Sequence, residues 1–215
     1  MTESRPLTAT DGRTARRDRG RTQVLDAAIE LFTEGTLEPT PEQVAVLAGV
    51  SSRTVYRYFE DRAALLRASI DRHFERIEPL ATIPHLGEGT LDERIDTLVR
   101  ARVRLVDAVS AAHRAASVRA MSDPVIAERL DFVRAALREQ TELQFSAELD
   151  PLGPDVRAVR ATAIDLLTGI ESIDALRRHR GQSVRATRAV LADSLGALLR
   201  PSTNPAVPPP TLKEH

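Results

Sequence analysis

The chain has 215 residues, 42% of them hydrophobic and 28% charged, the balance of a folded globular protein and not of a disordered one. Aromatics are only 3% and tryptophan is absent, so a core must be assembled from Leu, Val, Ile and Ala, which favours helices over sheets. No cysteine is present, which excludes disulfides, thiolate zinc sites, iron–sulfur clusters and thiol catalysis; with no apolar leader core and no run near ~18 apolar residues, the chain is expected to be soluble and cytoplasmic.

Residues 1–20 are polar and aperiodic and are expected to form a flexible arm. Formal net charge over the whole chain is −1, yet residues 1–21 carry six arginines (Arg5, Arg13, Arg16, Arg17, Arg19, Arg21) against Glu3, Asp11 and Asp18, a local charge of +3. Such an arm either stays a solvated leader or follows a DNA groove. The first helix is predicted over about Thr22–Glu34, with Leu25, Ala28, Ile29 and Phe32 on one face and Gly35 as its stop. Thr40-Pro41-Glu42-Gln43 opens the second: threonine as N-cap, proline at the first helical position and glutamine closing a capping box. Gly49-Val50 makes a turn, Ser51 caps a third helix to about Tyr58, and Asp61 caps a fourth that runs to Pro79.

After a break at 81–90 the pattern stays helical: Leu91–Ser110, a shorter piece over Ala111–Met121, and one from Asp123-Pro124 to about Leu149. The loop Asp150–Pro154 follows, then Asp155–Arg180 and Ser183–Leu199. Pro201 onward is proline-rich and is expected to be a disordered tail. The expected class is therefore all-α: an N-terminal three-helix domain at 21–66 and a helical domain at 67–200.

Gln43–Arg62 has the physics of a helix-turn-helix. Val55 and Phe59, four apart, pack inward and leave Arg53, Thr54, Arg57 and Tyr58 on other faces. Ser51, Ser52, Arg53 and Thr54 gather at the first turn of the third helix, where a recognition helix meets base edges and where helix N–H groups favour phosphate. Arg53 has the fork to pair with guanine O6 and N7, a contact worth roughly 1–3 kcal/mol of discrimination.

The stretch Arg21–Leu66 resembles the DNA-binding domain of the TetR family of transcriptional regulators. The family's pattern appears as Ala28, Phe32 and Gly35, then Thr40, then Val44-Ala45, Ala48-Gly49-Val50-Ser51, and the aromatic run Tyr56, Tyr58, Phe59; Arg62 stands where lysine is usual. The resemblance implies that Thr40, Tyr56 and Arg62 clamp phosphates while Ser52, Arg53, Thr54 and Arg57 read bases. Arg53 replaces a residue that is commonly small, so no relative supplies the base preference. Two bland readings stay open: Tyr58 as a packing residue and Arg57 as a solvated charge.

A helix-turn-helix of this size reads a palindromic operator as a homodimer, its half-sites ~34–36 Å apart. The last two helices offer stripes for a four-helix interface, Val156, Val159, Ala163, Leu167 and Ile170 on one and Val184, Leu191, Leu195 and Leu198 on the other. Periodicity does not separate this from closure of a monomeric bundle. The family resemblance further implies a small-molecule effector pocket within 91–149, for which Val103, His113, Met121, Phe132 and Phe145 are candidate linings. No cofactor is expected. Nor is an enzyme: nucleophile-elbow and phosphate-loop patterns are missing, and His73, His85, His113, His179 and His215 lack metal-ligand spacing. A repressor released by its effector is the expectation; an activator on the same scaffold, or a helical interaction module without DNA binding, remains open.

Overall fold

The computed structural model describes residues 9–34, 36 and 39–200, with side chains from Thr14 onward. Gly35, the stretch 1–8 and the tail from Pro201 lie outside the described residues, as do the stop and the tail assigned to them above. Every regular element among the described residues is helical, and no helix there is long and apolar enough to cross a membrane. Two compact units are present. The first takes residues up to Glu78 together with Ala111–Leu130; the second takes Pro79–Ser110 and the chain from Asp131. The N-terminal unit is thus larger than 21–66 and is discontinuous in sequence.

In the first unit, α1 spans Ala9–Thr33, α2 Pro41–Leu47, α3 Ser52–Tyr58 and α4 Arg62–Ala81, whose last residues pass into the second unit. Residues 9–20, expected as part of a flexible arm, are helical. Alanine and arginine are strong helix formers, and extending a helix already nucleated by a packed segment costs little. That packed segment is Val24, Leu25, Ala27 and Ala28, buried with Val44, Ala45, Ala48, Val55, Phe59 and Leu65. A smaller cluster joins Phe32 and Leu66 to Ala115. α4 also runs past Pro79, the expected stop, because a proline in the final turn forfeits only one backbone bond.

α5 is one helix, Leu91–Ala120, where a split near Ser110 was expected; α6 spans Pro124–Gln144. Both cross between the units. The remaining elements belong to the second unit: α7 Ser146–Leu149, α8 Pro154–Thr168, α9 Ile170–Asp174 with a π-helical turn at Ala175–His179, and α10 Val184–Leu199. The helix expected over Asp155–Arg180 breaks at Gly169, whose backbone is extended (φ −64°, ψ 152°).

Candidate nucleic-acid interface

Local sequence signals build the α2–α3 hairpin. Thr40 Oγ1 accepts from the Gln43 N–H (3.3 Å) and Gln43 Oε1 accepts from the Thr40 N–H (2.9 Å), the reciprocal capping box. At the other end of α2, Gly49 sits at φ +64°, the left-handed region that favours glycine. The Val50 N–H then reaches the Ala45 carbonyl (3.0 Å) and the Gly49 N–H reaches that of Val46 (3.2 Å), closing a Schellman turn. Ser51 caps α3 by accepting from the Thr54 N–H at 3.2 Å, and Asp61 Oδ1 accepts from the Ala64 N–H to cap α4. Gln23 Nε2 of α1 donates to the Ala48 carbonyl (2.9 Å), fixing the hairpin to α1.

With Val55 and Phe59 buried as the spacing demands, α3 displays its remaining residues. Ser51, Arg53, Tyr56 and Arg57 are exposed, while Ser52 and Thr54 are half-buried. Arg53 is paired with no carboxylate among the described residues, so its fork is available. Ser51 shares its hydroxyl with Thr54 (Oγ to Oγ1, 3.0 Å) and is partly committed to its own helix. Tyr58 is half-buried and packs against the core, in line with the packing reading; Arg57 lies over its ring, 5.3 Å from the centroid. Arg62 is half-buried and donates from Nε to the Pro39 carbonyl (3.2 Å), which ties the start of α4 to the segment entering α2.

Residues 24–69 match the family described as bacterial regulatory proteins, tetR family. Residues 24–69 form a TetR-type N-terminal domain. The chain is 35% identical over 89 residues to the HTH-type transcriptional repressor KstR of Mycolicibacterium smegmatis, a match covering 41% of this chain and 43% of that protein, less than half of its length. Among solved structures it is similar to a transcriptional regulator from Rhodococcus sp. Rha1 (TM-score 0.63, 19% identity, 83% of this chain and 95% of that one). A tetR-family transcriptional regulator from Streptomyces coelicolor is similar as well (TM-score 0.63, 22% identity, 84% and 80%). At such identities the likeness concerns the fold. The TetR-type assignment therefore rests on the helix-turn-helix, with all-helical folds extending beyond it.

The candidate pocket residues are divided between the two units. Val103 and Phe145 are fully buried in the second unit, but Phe132 is 62% exposed on the solvent side of α6. His113 and Met121 belong to the first unit, and Met121, at the turn after α5, is 87% exposed. Met121 and Phe132 line no interior, because helical spacing alone does not say which flank of a helix is covered.

Of the candidate interface residues, Ile170, Leu191 and Leu195 are already buried within the chain itself. Ala163, Leu167 and Leu198 are half-buried, as is Val184. Val159 remains exposed on α8, and with Val156, Ala163 and the unanticipated Leu166 it follows one helical face.

Sequence reading also missed a buried polar seam in the second unit. Arg94 pairs with Glu148 through both Nη atoms and donates to the Gln144 carbonyl (2.9 Å). Arg102, 1% exposed, donates to the Gln140 side chain (2.7 Å), the Leu137 carbonyl (2.7 Å) and Thr141 Oγ1 (3.1 Å), all neutral acceptors. Burial pushes its pKa down to about 10, with the nearby Asp165 charge opposing. The signal was present: Leu91, Arg94, Leu98, Arg102, Leu105 and Val109 form one stripe in which arginine takes two apolar positions. Asp165 and Glu171, polar residues on an otherwise apolar stretch, pair with Arg138 (3.1 Å) and Arg134 (2.9 Å) of α6.

Proposed function

We propose that this protein is a ligand-responsive transcription regulator that binds a palindromic operator in duplex DNA as a homodimer and acts as a repressor. The observation that carries the reading is the first turn of α3: Arg53 exposed and without an ion pair among the described residues, beside Ser52 and Thr54, on a helix anchored from beneath by Val55 and Phe59. Arg53, Thr54, Ser52 and Arg57 read base edges. Thr40 and Tyr56 meet phosphates, and Arg62 shares that work with its tie to Pro39. The name of the KstR relative supports repression. The second subunit is held through the exposed face of α8.

Release follows a two-state scheme. A small molecule that binds better to the form with wrongly spaced reading heads lowers operator affinity, by no more than its differential affinity for the two forms. α4 is the segment through which the chain leaves the helix-turn-helix, and it is the hinge of this scheme.

Selection of bound fragments from a random duplex pool tests the reading. The expected product is an inverted repeat with half-sites about one helical turn apart. Arg53→Ala should flatten the preference at one base position by about 1–3 kcal/mol while other positions hold. Enrichment of no sequence at all would leave the chain a helical interaction module.

A further inference from the structure

α1 passes the end of α3 at close range. A Cβ on Gly20 would stand 2.5 Å from the Tyr58 hydroxyl oxygen, so a glycine is what lets the two helices meet with the tyrosine where it is. Tyr58 is the last residue of α3. One residue on, the Arg21 guanidinium lies over the Phe59 ring, 5.0 Å from its centroid, and the Gln23 bond to Ala48 follows two residues later. These contacts fix the register of α1, so whatever α1 carries ahead of Gly20 is held beside α3 by a helix and not by a tether.

Arg16 and Arg17 lie four and three residues before Gly20, which places them on its face one turn farther out. Both are exposed, and no carboxylate pairs with either among the described residues. Arg19 is exposed as well, its Nε donating to the Ala15 carbonyl (3.2 Å). Within Thr14–Arg21, four arginines face a single acid, Asp18. These charges repel one another across the turn, and an anionic partner relieves that repulsion. The surface is continuous with the candidate interface, for Tyr58 also carries Arg57 on its ring.

We infer that Arg16 and Arg17 make a second contact with duplex DNA, to the phosphates flanking the groove that α3 enters. The inference rests on the DNA-binding reading of α3 and adds to it a sequence-independent clamp. Phosphate contacts set register and affinity and carry no base information. Each neutralised phosphate contributes about −0.9 to the slope of log affinity against log salt.

The test uses the full chain and an Arg16→Gln, Arg17→Gln double variant, titrated by fluorescence anisotropy onto the selected duplex and a scrambled one between ~50 and 200 mM salt. The variant slope should be shallower by about 1.8, with the same fold loss on both duplexes. Trimming flanking base pairs should weaken the parent protein and leave the variant unaffected. An unchanged slope, or a loss confined to the selected sequence, overturns the inference. Arg53→Ala separates the two failures: if it relaxes base preference while the double variant behaves as the parent, the recognition helix stands and the clamp falls. A parent protein that binds neither duplex in a salt-dependent way removes both. Because the two side chains are exposed and pair with no carboxylate among the described residues, unchanged circular dichroism and melting temperature are expected of the double variant.

Discussion

Ser51 and Arg53 are two residues apart and divide the labour of one helical turn. The Ser51 hydroxyl accepts from the Thr54 N–H and shares a bond with the Thr54 hydroxyl, so most of its capacity is spent on starting α3. Arg53 makes no ion pair among the described residues and holds the exposed position beyond it. Ser51→Ala should therefore act on stability, lowering it by ~1 kcal/mol as a lost N-cap does, while the selected operator keeps the parent sequence. A denaturation midpoint and a repeat of the pool selection check both halves. A changed base preference with an unchanged midpoint would return Ser51 to the reading surface. The same reasoning divides the tyrosines: Tyr56 is exposed, whereas Tyr58 is packed on the core with its hydroxyl against Gly20.

α4 carries His73 and the arginines that hold Asp26, two groups of the first unit with lowered pKa values. His73 is held below the usual imidazole range, first by burial and then by the Arg76 charge. Its Nε2 is buried with no hydrogen-bond partner. Asp26 of α1 is held below the usual carboxylate range, chiefly by its hydrogen bonds from Arg72 (2.7 and 3.0 Å) and also by the charges of Arg72 and Arg76, with burial opposing. In both cases the unfolded chain takes up a proton that the folded one refuses, so stability is full above the ordinary pKa and is lost as pH falls toward the folded one. The windows differ: below about 6.5 for His73, below about 3.8 for Asp26. Melting temperature measured from pH 7.5 to 3 should fall in two steps. His73→Gln should flatten the upper step. Asp26→Asn should melt lower at neutral pH and shrink the lower step, to which Glu93, held low by its hydrogen bonds from Thr90, also contributes; because the Asp26 side chain is 41% exposed, that step is the smaller.

The elements that were legible in the sequence are those fixed by neighbours in the chain. Thr40 with Gln43, Gly49 with Val50, and Ser51 with Thr54 act within three residues, so the helix-turn-helix could be read directly. The helix limits at Ala9 and across Ser110–Ala111 had no capping or breaking signal and were misplaced. Gly169 did signal a break, inside what looked like one helix. Burial was harder still. Leu191, Leu195 and Val159 all lie on regular stripes, and only the tertiary fold decides which stripe is covered.

On the scale of the whole molecule, the exposed apolar face of α8 is the surface proposed above for a second copy. Val159 and Leu166 are 62% and 66% exposed and lie seven residues apart on that face. Val159→Asp with Leu166→Asp should yield a folded monomer by sedimentation velocity and weaken operator binding, since each monomer then holds one half-site. Aspartate at Leu191 or Leu195 should instead unfold the second unit, as a buried unpaired charge does. A parent protein that sediments as a monomer would refute the homodimer.

The N-terminal unit closes its core with residues borrowed from far along the chain. Phe32 and Leu66 rest on Ala115, and the same unit takes in Ile126 and Leu130 of α6, both buried in the chain. A cut after Glu78, the obvious place to excise the reading head, would strip this covering and leave a greasy seam. Chimaeras that graft the head onto a foreign sensor will fare better if the recipient supplies a matching plug, or if 111–130 travels with the graft.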